Sequence, residues 1–591
     1  MNTEWNLKQL YKSTKDPQIE IDIGMSKKKV SDFVEKWEKD KEYLKSPSVL
    51  KKALDEYERL NESPGIYDKP LYYFSLLNAL DQSSIETKGK LNQLTEQSVL
   101  LYNRVQFFEL NLSRVEKKTQ EIFLNSPLLK EYNHYLESLF KQGKYTLSDK
   151  EEKVFNLTSK TSYSNWVSMI SELLSKQTLE VLNEDGKKEM ISYNETSKYL
   201  NSEDRKVRDF AAKKFDKINK KYSEIAEFEI NSILERKKVS DNYRGIPRPD
   251  LLRHISDDID SEVVDTLIDV VSKNFDISKE YYKRKAKLLN QKTLGYYERN
   301  VPLGKIKKKY SYKESLALVQ KTFKNLDPQF LNILNSLQKT GQYDVFPKES
   351  KSGGAFCITV SKTLPTFVML NHNDNLNDVL TIAHESGHAI HSTMSQEQNS
   401  LNSSYPTSLA EIASTFFEDF VLDEILKDAD EKLRFTILAE KLNGDISTIF
   451  RQVAFYKFEK ELHKEFSQKG YLSRDLISEI FCKHMSSYLG ESVKKDESMK
   501  YGWIYWSHLR MSFYVYSYAS GLLISKYLQN RVKKDLSFIL EFKKLLKAGS
   551  SKSPEDIFME LGIDIRKESF WQNGLDSVRD SLLSLPDLDS N

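Results

Sequence analysis

Cysteine is nearly absent from this chain of 591 residues, which contains only Cys357 and Cys482. The two residues lie far apart, and neither belongs to a Cys-x-x-Cys pair. A small scaffold held by disulfides is therefore excluded. Because both cysteines have apolar neighbours in sequence, we interpret them as buried thiols in a protein of a reducing compartment.

Glycine and proline are also scarce, with 20 and 14 residues against average usage of about 7% and 5%. Few turn-forming and helix-breaking residues indicate long helices. An apolar residue recurs every three or four positions in the segments 86–115, 147–175 and 202–239, which is the spacing of amphipathic helices. We place a division between an N-terminal helical lobe, residues 1–190, and a second domain, residues 191–591.

An excess of one charge is missing, because 89 basic residues are balanced by 87 acidic residues. This balance provides no electrostatic footprint for nucleic acid. The most apolar long stretch, 501–523, contains His508 and Arg510 and is no membrane span. The residues after Met1 do not resemble a secretory signal. We therefore expect a soluble, cytoplasmic protein that binds neither nucleic acid nor membranes and has no obligate protein partner.

Two β-rich runs, 355–361 and 366–371, interrupt the helical pattern and are joined by a short loop with Pro365. Their composition predicts a hairpin. An extended peptide could add to the free edge of such a hairpin through backbone hydrogen bonds. A small sheet that only caps the core is an equally good interpretation.

The segment after the hairpin contains the pentapeptide His384-Glu385-Ser386-Gly387-His388. Asn375 and Asn377 offer helix N-caps, so we place the pentapeptide on a helix. Two histidines four residues apart then share one face and can bind a single zinc ion, with a glutamate beside them for a water molecule. Glycine in mid-helix costs about 1 kcal/mol, which the close approach of another backbone would explain.

A catalytic zinc ion needs three protein ligands and one open position. His391 lies close to the same face, but one straight helix does not easily wrap three ligands around an ion. Glu397 is too near to fold back, whereas Glu411 begins a second predicted helix. Glu411 could also form a capping box with Ser408, so a ligand and a cap remain alternatives. Glu418 is seven residues further along and could orient a ligand histidine.

These motifs resemble the oligoendopeptidase F branch of the thimet oligopeptidase (M3) family of zinc metallopeptidases. The resemblance rests on Leu380–His391 and Leu409–Glu418, and it extends to Trp5–Tyr11, Gly354–Cys357 and Ala548–Pro554. Carried over by position, it implies that His384, His388 and Glu411 bind one Zn²⁺ ion per chain and that Glu385 is the general base. His391 matches a family histidine that does not bind metal.

The aromatic segment near the C-terminus, 501–518, is tyrosine-rich, and most of its tyrosines fit a buried aromatic helix. Attack on a peptide carbonyl creates an oxyanion, which an imidazole or phenol can stabilise. In the resemblance, His508 and Tyr516 match the histidine and tyrosine with this role. The loop between them is shorter than in the thimet branch, so Tyr514 is the alternative.

The resemblance also implies a mainly α fold, with two helical lobes around a deep central channel and a small β-sheet next to the active-site helix. The expected function is zinc-dependent endopeptidase cleavage of short, unstructured oligopeptides, with residues 191–591 as the catalytic domain. One alternative is a zinc metallocarboxypeptidase, which would need a basic residue for the substrate's C-terminal carboxylate. Another is a peptide-binding protein that has lost its metal.

Overall fold

The computed structural model describes residues 2–66 and 69–585 of the chain and is predominantly helical. The helices of its first half are α1 (Gln18–Trp37), α2 (Pro47–Leu60), α3 (Lys69–Leu80), α4 (Ile85–Ser113), α5 (Lys117–Leu124), α6 (Asn133–Gly143), α7 (Asp149–Ser159), α8 (Asn165–Ser175), α9 (Thr196–Leu200), α10 (Arg205–Arg244), α11 (Leu251–Ser256), α12 (Ser261–Lys273) and α13 (Phe275–Leu288). The mainly α fold predicted from the sequence is confirmed.

The second half continues with helices that include those of the metal-binding motif. They are α14 (Tyr312–Leu326), α15 (Pro328–Thr340), α16 (Leu376–Ser395), α17 (Thr407–Lys427), α18 (Glu431–Ile446), α19 (Gln452–Lys469), α20 (Arg474–Leu489), α21 (Glu497–Lys500), α22 (Tyr516–Lys534), α23 (Ile539–Ala548), α24 (Pro554–Glu560) and α25 (Glu568–Leu583). None of the described helices combines the length and apolar character needed to cross a lipid bilayer.

Local sequence explains where the long helices begin and end. The longest helix, α10, begins after Asp204, whose side chain accepts the Lys206 N–H, and ends at Gly245 in the left-handed conformation (φ 66°). Asp is a favoured N-cap, and Gly adopts this conformation at a helix end without a Cβ clash. Because such stop signals are rare in this chain, α10 runs for 40 residues.

The strands form two small sheets. Strands β1 (Thr178–Leu182) and β2 (Lys188–Ser192) make an antiparallel pair. The other sheet has the order β3-β5-β4, with β3 (Tyr343–Asp344) parallel to β5 (Phe367–Met369). Strand β4 (Phe356–Ile358) is antiparallel to β5 and has no partner strand on its other side among the described residues. The predicted hairpin before the metal motif is therefore confirmed.

The chain divides into two compact units, each built from separate stretches of sequence. The first comprises the residues up to Lys144, Lys307–Asp428 and Leu528–Asp564. The second comprises Tyr145–Ile306, Ala429–Tyr527 and the residues from Ile565 onward. Helix α22 contains residues of both. The predicted division at residue 190 falls inside the second unit, because local sequence patterns do not reveal which distant stretches pack together.

In the first unit, the N-terminal segment packs against the three-stranded sheet. Trp5 donates its indole N–H to the Val368 carbonyl (2.9 Å) and contacts Phe356 and Phe367. The metal-motif helix α16 is surrounded by α14, α15, α17, α23 and strands β4 and β5. Its residues Val379, Ile382 and Ile390 are fully buried in this packing. The sheet and α16 thus pack directly against each other.

Candidate active site

Helix α16 holds the His384–His388 pentapeptide as the sequence predicts. Asn375 caps its N-terminus and forms a reciprocal capping box with Asp378. Such a box satisfies two backbone donors that the first turn leaves unpaired. The predicted N-cap at Asn375 is confirmed, and the helix carries both motif histidines on one face.

Helices α16 and α17 approach each other closely at Gly387. A Cβ atom at this position would lie 2.8 Å from the Ser414 Cα and 2.9 Å from the Ala413 carbonyl oxygen. Both contacts are to backbone atoms of α17, which cannot move aside without displacing that helix. The close backbone approach predicted for Gly387 is confirmed, and it explains how a carboxylate of α17 reaches the histidines of α16.

Glu411 of α17 lies beside both histidines. Its Oε2 atom is 3.5 Å from His384 Nε2 and 3.8 Å from His388 Nε2. One ligand atom from each of the three residues lies within 4.8 Å of the others. Two imidazole nitrogens and one carboxylate oxygen are a donor set that suits a catalytic zinc ion and leaves a coordination position open. The residues therefore fit the metal that the motif predicts.

The alternative role of Glu411 as a capping residue is wrong. Helix α17 begins at Thr407 after the N-cap Pro406, which makes no side-chain cap bond. Ser408 therefore lies inside the helix rather than at its cap. Instead, Ser414 donates its hydroxyl to Glu411 Oε2 (3.1 Å), which holds the carboxylate toward the histidines.

Glu418 contacts the other nitrogen of His384. Its Oε2 atom lies 3.2 Å from His384 Nδ1, as expected for a residue that orients a ligand imidazole. Burial lowers the pKa of His384, but the Glu418 and Glu411 carboxylates raise it to a net value above the usual one. Burial lowers the pKa of His388 to about 4, aided by the neighbouring His384. His388 is therefore a neutral imidazole, the form that binds metal.

Glu385 is buried directly beside this donor set. Burial raises its carboxyl pKa to about 7, with a further contribution from Glu411, whereas His384 and the Cys357 backbone N–H oppose the shift. A carboxyl group poised near neutral pH can both accept and donate a proton. The contact with Cys357 also links Glu385 to strand β4.

His391 and Ser386 of α16 pack against tyrosines and are not metal-binding residues in this arrangement. His391 is fully buried and stacks on Tyr405, with ring centroids 3.6 Å apart. It is not part of the His–His–Glu group among the described residues. Ser386 hydrogen-bonds Tyr343 Oη (2.8 Å).

A cavity of about 560 Å³ opens over the metal-binding residues. One wall is formed by residues 355–357 and 359–362, which run from just before β4 to beyond its end. The rest of the lining comes from His384, Glu385, His388 and Glu411, from Ser392, Ser395 and Gln396 at the end of α16, and from the loop residues 403–405. All of these residues belong to the first unit. The cavity therefore combines the donor set, the buried carboxyl group and an unpaired strand.

The predicted residues of the aromatic segment lie in the second unit. His508 Nε2 is 3.0 Å from Tyr518 Oη, and the His508 ring is parallel to that of Tyr514 with centroids 5.9 Å apart. Tyr516 is fully buried and donates its hydroxyl to Asp257 Oδ2 (2.6 Å). This geometry gives Tyr516 a structural contact and makes Tyr518 the hydroxyl beside His508. The sequence alone does not single out Tyr518, because its contact with His508 depends on the backbone turn before α22.

The helical fold and the His–His–Glu group define a metallopeptidase. A family model described as peptidase family M3 matches residues 198–577, and a model described as oligopeptidase F matches residues 111–176. The chain belongs to peptidase family M3, and it is a metalloendopeptidase. The resemblance to the oligoendopeptidase F branch is confirmed.

The relatives extend over nearly the whole chain. An oligoendopeptidase F homolog from Borreliella burgdorferi is 27% identical over 89% of this chain and 89% of its own length. A solved structure from Chlamydophila abortus has a TM-score of 0.86 at 23% identity and covers 99% of this chain and 98% of its own. Oligoendopeptidase F from Enterococcus faecium has a TM-score of 0.71 at 19% identity, covering 96% and 98%. The solved structures support the fold.

Proposed function

We propose that this chain is a zinc-dependent endopeptidase of short, unstructured oligopeptides. One observation carries the proposal. Ligand atoms of His384, His388 and Glu411 lie within 4.8 Å of one another, and all three residues line the cavity. These three residues would hold one zinc ion per chain. When bound, zinc would polarise a water molecule and lower its pKa from ~16 toward ~7.

Glu385 is the proposed general base and acid. Its carboxylate takes the proton from the attacking water and then delivers it to the leaving amine. A pKa raised by burial to about 7 supports both steps near neutral pH. The Cys357 N–H and the packing of α16 hold the carboxyl group in place, which favours a precise geometry for proton transfer.

Strand β4 is the proposed docking edge for the substrate backbone. In an antiparallel pair, the N–H and C=O of one residue point to the same side. The Cys357 N–H points to Glu385, so its carbonyl also faces away from β5 and is available to a peptide. Because pairing requires an extended segment, this edge favours unfolded peptides over folded proteins. The oligoendopeptidase and oligopeptidase names of the relatives support the same substrate class.

His508 is the proposed donor to the oxyanion that forms on the substrate carbonyl. The sequence-based partner for this role is Tyr516, but the hydrogen bond between His508 and Tyr518 favours Tyr518 instead. One proton of a neutral imidazole–phenol pair lies in the shared hydrogen bond, so one of the two groups donates to the developing charge and the other orients it. We also propose a cytoplasmic setting, which the two free cysteines support.

The direct test is metal analysis of the purified protein, followed by the Glu411→Ala variant. We expect about one zinc per wild-type chain, loss of most of that zinc in Glu411→Ala, and peptidase activity that follows the zinc content. Glu397→Ala is the matched control, because Glu397 lies just after α16, where it pairs with Lys547 (2.8 Å) and is not part of the His–His–Glu group. A Glu411→Ala protein that retains its zinc and activity would contradict the proposed ligand set.

A further inference from the structure

The active-site cavity contains a positively charged side chain that the proposed chemistry does not use. Among the described residues that line the cavity, Lys362 is the one Lys or Arg side chain. It follows strand β4 by four residues and lies on the wall that also carries Cys357 and Thr359. A cation at this position faces the same space as a bound peptide.

The ammonium group of Lys362 is held by a hydrogen bond, but no carboxylate in the part of the chain that the structure describes neutralises its charge. It donates one hydrogen bond to the Gln398 carbonyl oxygen (2.7 Å). The Gln398 side chain in turn donates to the Lys547 carbonyl (2.8 Å), which fixes that segment to α23. Lys362 forms no ion pair with a carboxylate in residues 2–66 and 69–585. An ammonium group has three N–H donors, so two remain for a ligand.

We infer that Lys362 forms a carboxylate subsite for the substrate peptide, an inference that rests on the proposed endopeptidase function. The ammonium group anchored to the Gln398 carbonyl binds a peptide carboxylate by a charge-assisted hydrogen bond. This pairing is favourable because the ammonium is already oriented by Gln398 and only partly exposed to water.

The subsite lies within a bounded distance of the reacting bond. Cys357 contacts the general base Glu385, and Lys362 is five residues further along the chain. Five residues span at most about 18 Å when fully extended. A peptide paired along this wall therefore meets Lys362 no more than about five residues from its scissile bond. The ligand is a carboxylate within that range.

Two groups of a peptide provide this chemistry, namely the C-terminal carboxylate and the side chain of Asp or Glu. A C-terminal carboxylate would make the enzyme favour bonds at a fixed distance from the end of the peptide. An acidic side chain would instead fix the cleavage site by sequence. Both sources use the same ammonium group, and matched peptides separate them.

The test compares kcat/KM of the zinc-loaded protein on peptides of one sequence. The first has a free C-terminus and one Glu near the cleaved bond, the second has a C-terminal amide, and the third has Gln in place of Glu. We expect one of the two neutralised peptides to be cleaved about tenfold less efficiently than the first, mainly through KM. If the peptide with the C-terminal amide is cleaved more slowly, the ligand of Lys362 is the C-terminal carboxylate. If the peptide with Gln is cleaved more slowly, the ligand is the acidic side chain.

Variants assign the effect to Lys362. Lys362→Met removes the charge but keeps the aliphatic stem, so it should lose the preference and cleave the neutralised peptide as the wild type does. Lys362→Arg should retain most of the preference, and Lys339→Met, an exposed lysine in the last turn of α15, should leave it unchanged. The same ratios are expected for the Kd of peptides bound to zinc-loaded Glu385→Gln.

The outcomes separate this inference from the proposed function. Equal cleavage of all three peptides by the wild type would overturn the carboxylate subsite while leaving the endopeptidase function intact. A preference that survives in Lys362→Met would overturn the assignment to Lys362. Failure of the zinc-loaded wild type to cleave any peptide would contradict the proposed function and this inference with it.

Discussion

Glu418 Oε2 lies 3.2 Å from His384 Nδ1, while Glu411 Oε2 lies 3.5 Å from Nε2 of the same ring. One carboxylate therefore fixes the orientation of the imidazole and leaves the opposite nitrogen free to bind metal. Both carboxylates belong to α17, seven residues apart, so two helical turns set the spacing. The affinity for metal should therefore depend on how α16 packs against α17.

Glu418→Ala should weaken zinc binding by about 10–100-fold, because the ligand imidazole loses its orienting partner. Competition with a chelator measures the change. Asp423→Asn is the control, since Asp423 lies on the same helix and pairs with Lys533. Unchanged zinc affinity in Glu418→Ala would show that the contact with His384 does not orient the ligand.

Tyr516 and Tyr518 of the aromatic segment should respond differently to loss of the hydroxyl group. Tyr518→Phe removes the partner of His508 and should lower kcat by about 10–100-fold with little change in KM or Tm. Tyr516→Phe removes a donor to the buried Asp257 and should instead lower the free energy of unfolding by about 1–3 kcal/mol. If Tyr516→Phe lowers kcat and Tyr518→Phe does not, Tyr516 is the oxyanion donor.

Gly387→Ala should destabilise the first unit, because the new methyl group would lie 2.8 Å from the Ser414 Cα. Overpacking of this kind costs about 1–3 kcal/mol, and separation of α16 from α17 should also reduce zinc affinity. Gly89→Ala is the matched control, since its Cβ would meet nothing within 4 Å on an exposed face of α4. That substitution should be neutral or stabilise by up to about 1 kcal/mol. Equal Tm values for the two variants would contradict the close helix approach.

Glu459 should make the stability of the protein depend on pH. Burial raises its pKa from 4.5 to about 8, Asp250 adds to the shift, and the Phe513 N–H that it accepts (3.0 Å) opposes it. The folded state therefore favours the protonated carboxyl. This contribution to stability is fully present below pH about 4.5 and is lost as the pH rises through about 8.

Glu459→Gln keeps the acceptor for Phe513, a residue held in the left-handed conformation (φ 60°), and carries no charge. At pH 8.5 the variant should be more stable than the wild type by more than about 1 kcal/mol, and the difference should vanish near pH 4.5. Chemical denaturation at both pH values measures it. Glu461→Gln should give no such gain, because Lys483 and His484 outweigh burial and lower the pKa of Glu461. A difference for Glu459→Gln that does not change with pH would contradict the assignment.

The metal site was largely predictable because its determinants are local. Helical spacing places His384 and His388 on one face, the capping signal at Asn375 positions that helix, and the resemblance to a known family identifies Glu411. The capping alternative for Glu411 could be resolved only by the start of α17 at Thr407, since boundaries of one or two residues decide which serine caps a helix.

The features that the sequence does not reveal are set by distant or irregular structure. The compact units interleave stretches from across the chain, which no local pattern reveals. Ser512 and Phe513 adopt positive φ angles and α22 begins only at Tyr516, so Tyr514 lies before the helix and the predicted helical spacing does not apply to it. Lys362 is anchored by the carbonyl of Gln398, 36 residues away. Each case depends on tertiary contacts rather than on residue spacing.

The Glu385→Gln variant tests the central claim most directly. Gln has nearly the same shape and still accepts the Cys357 N–H, so the fold and about one zinc per chain should be retained. It cannot take a proton from water, and kcat should fall by about a thousandfold or more. Peptide turnover and zinc content should be measured on the same preparation. Zinc-loaded Glu385→Gln with turnover close to that of the wild type would contradict Glu385 as the general base.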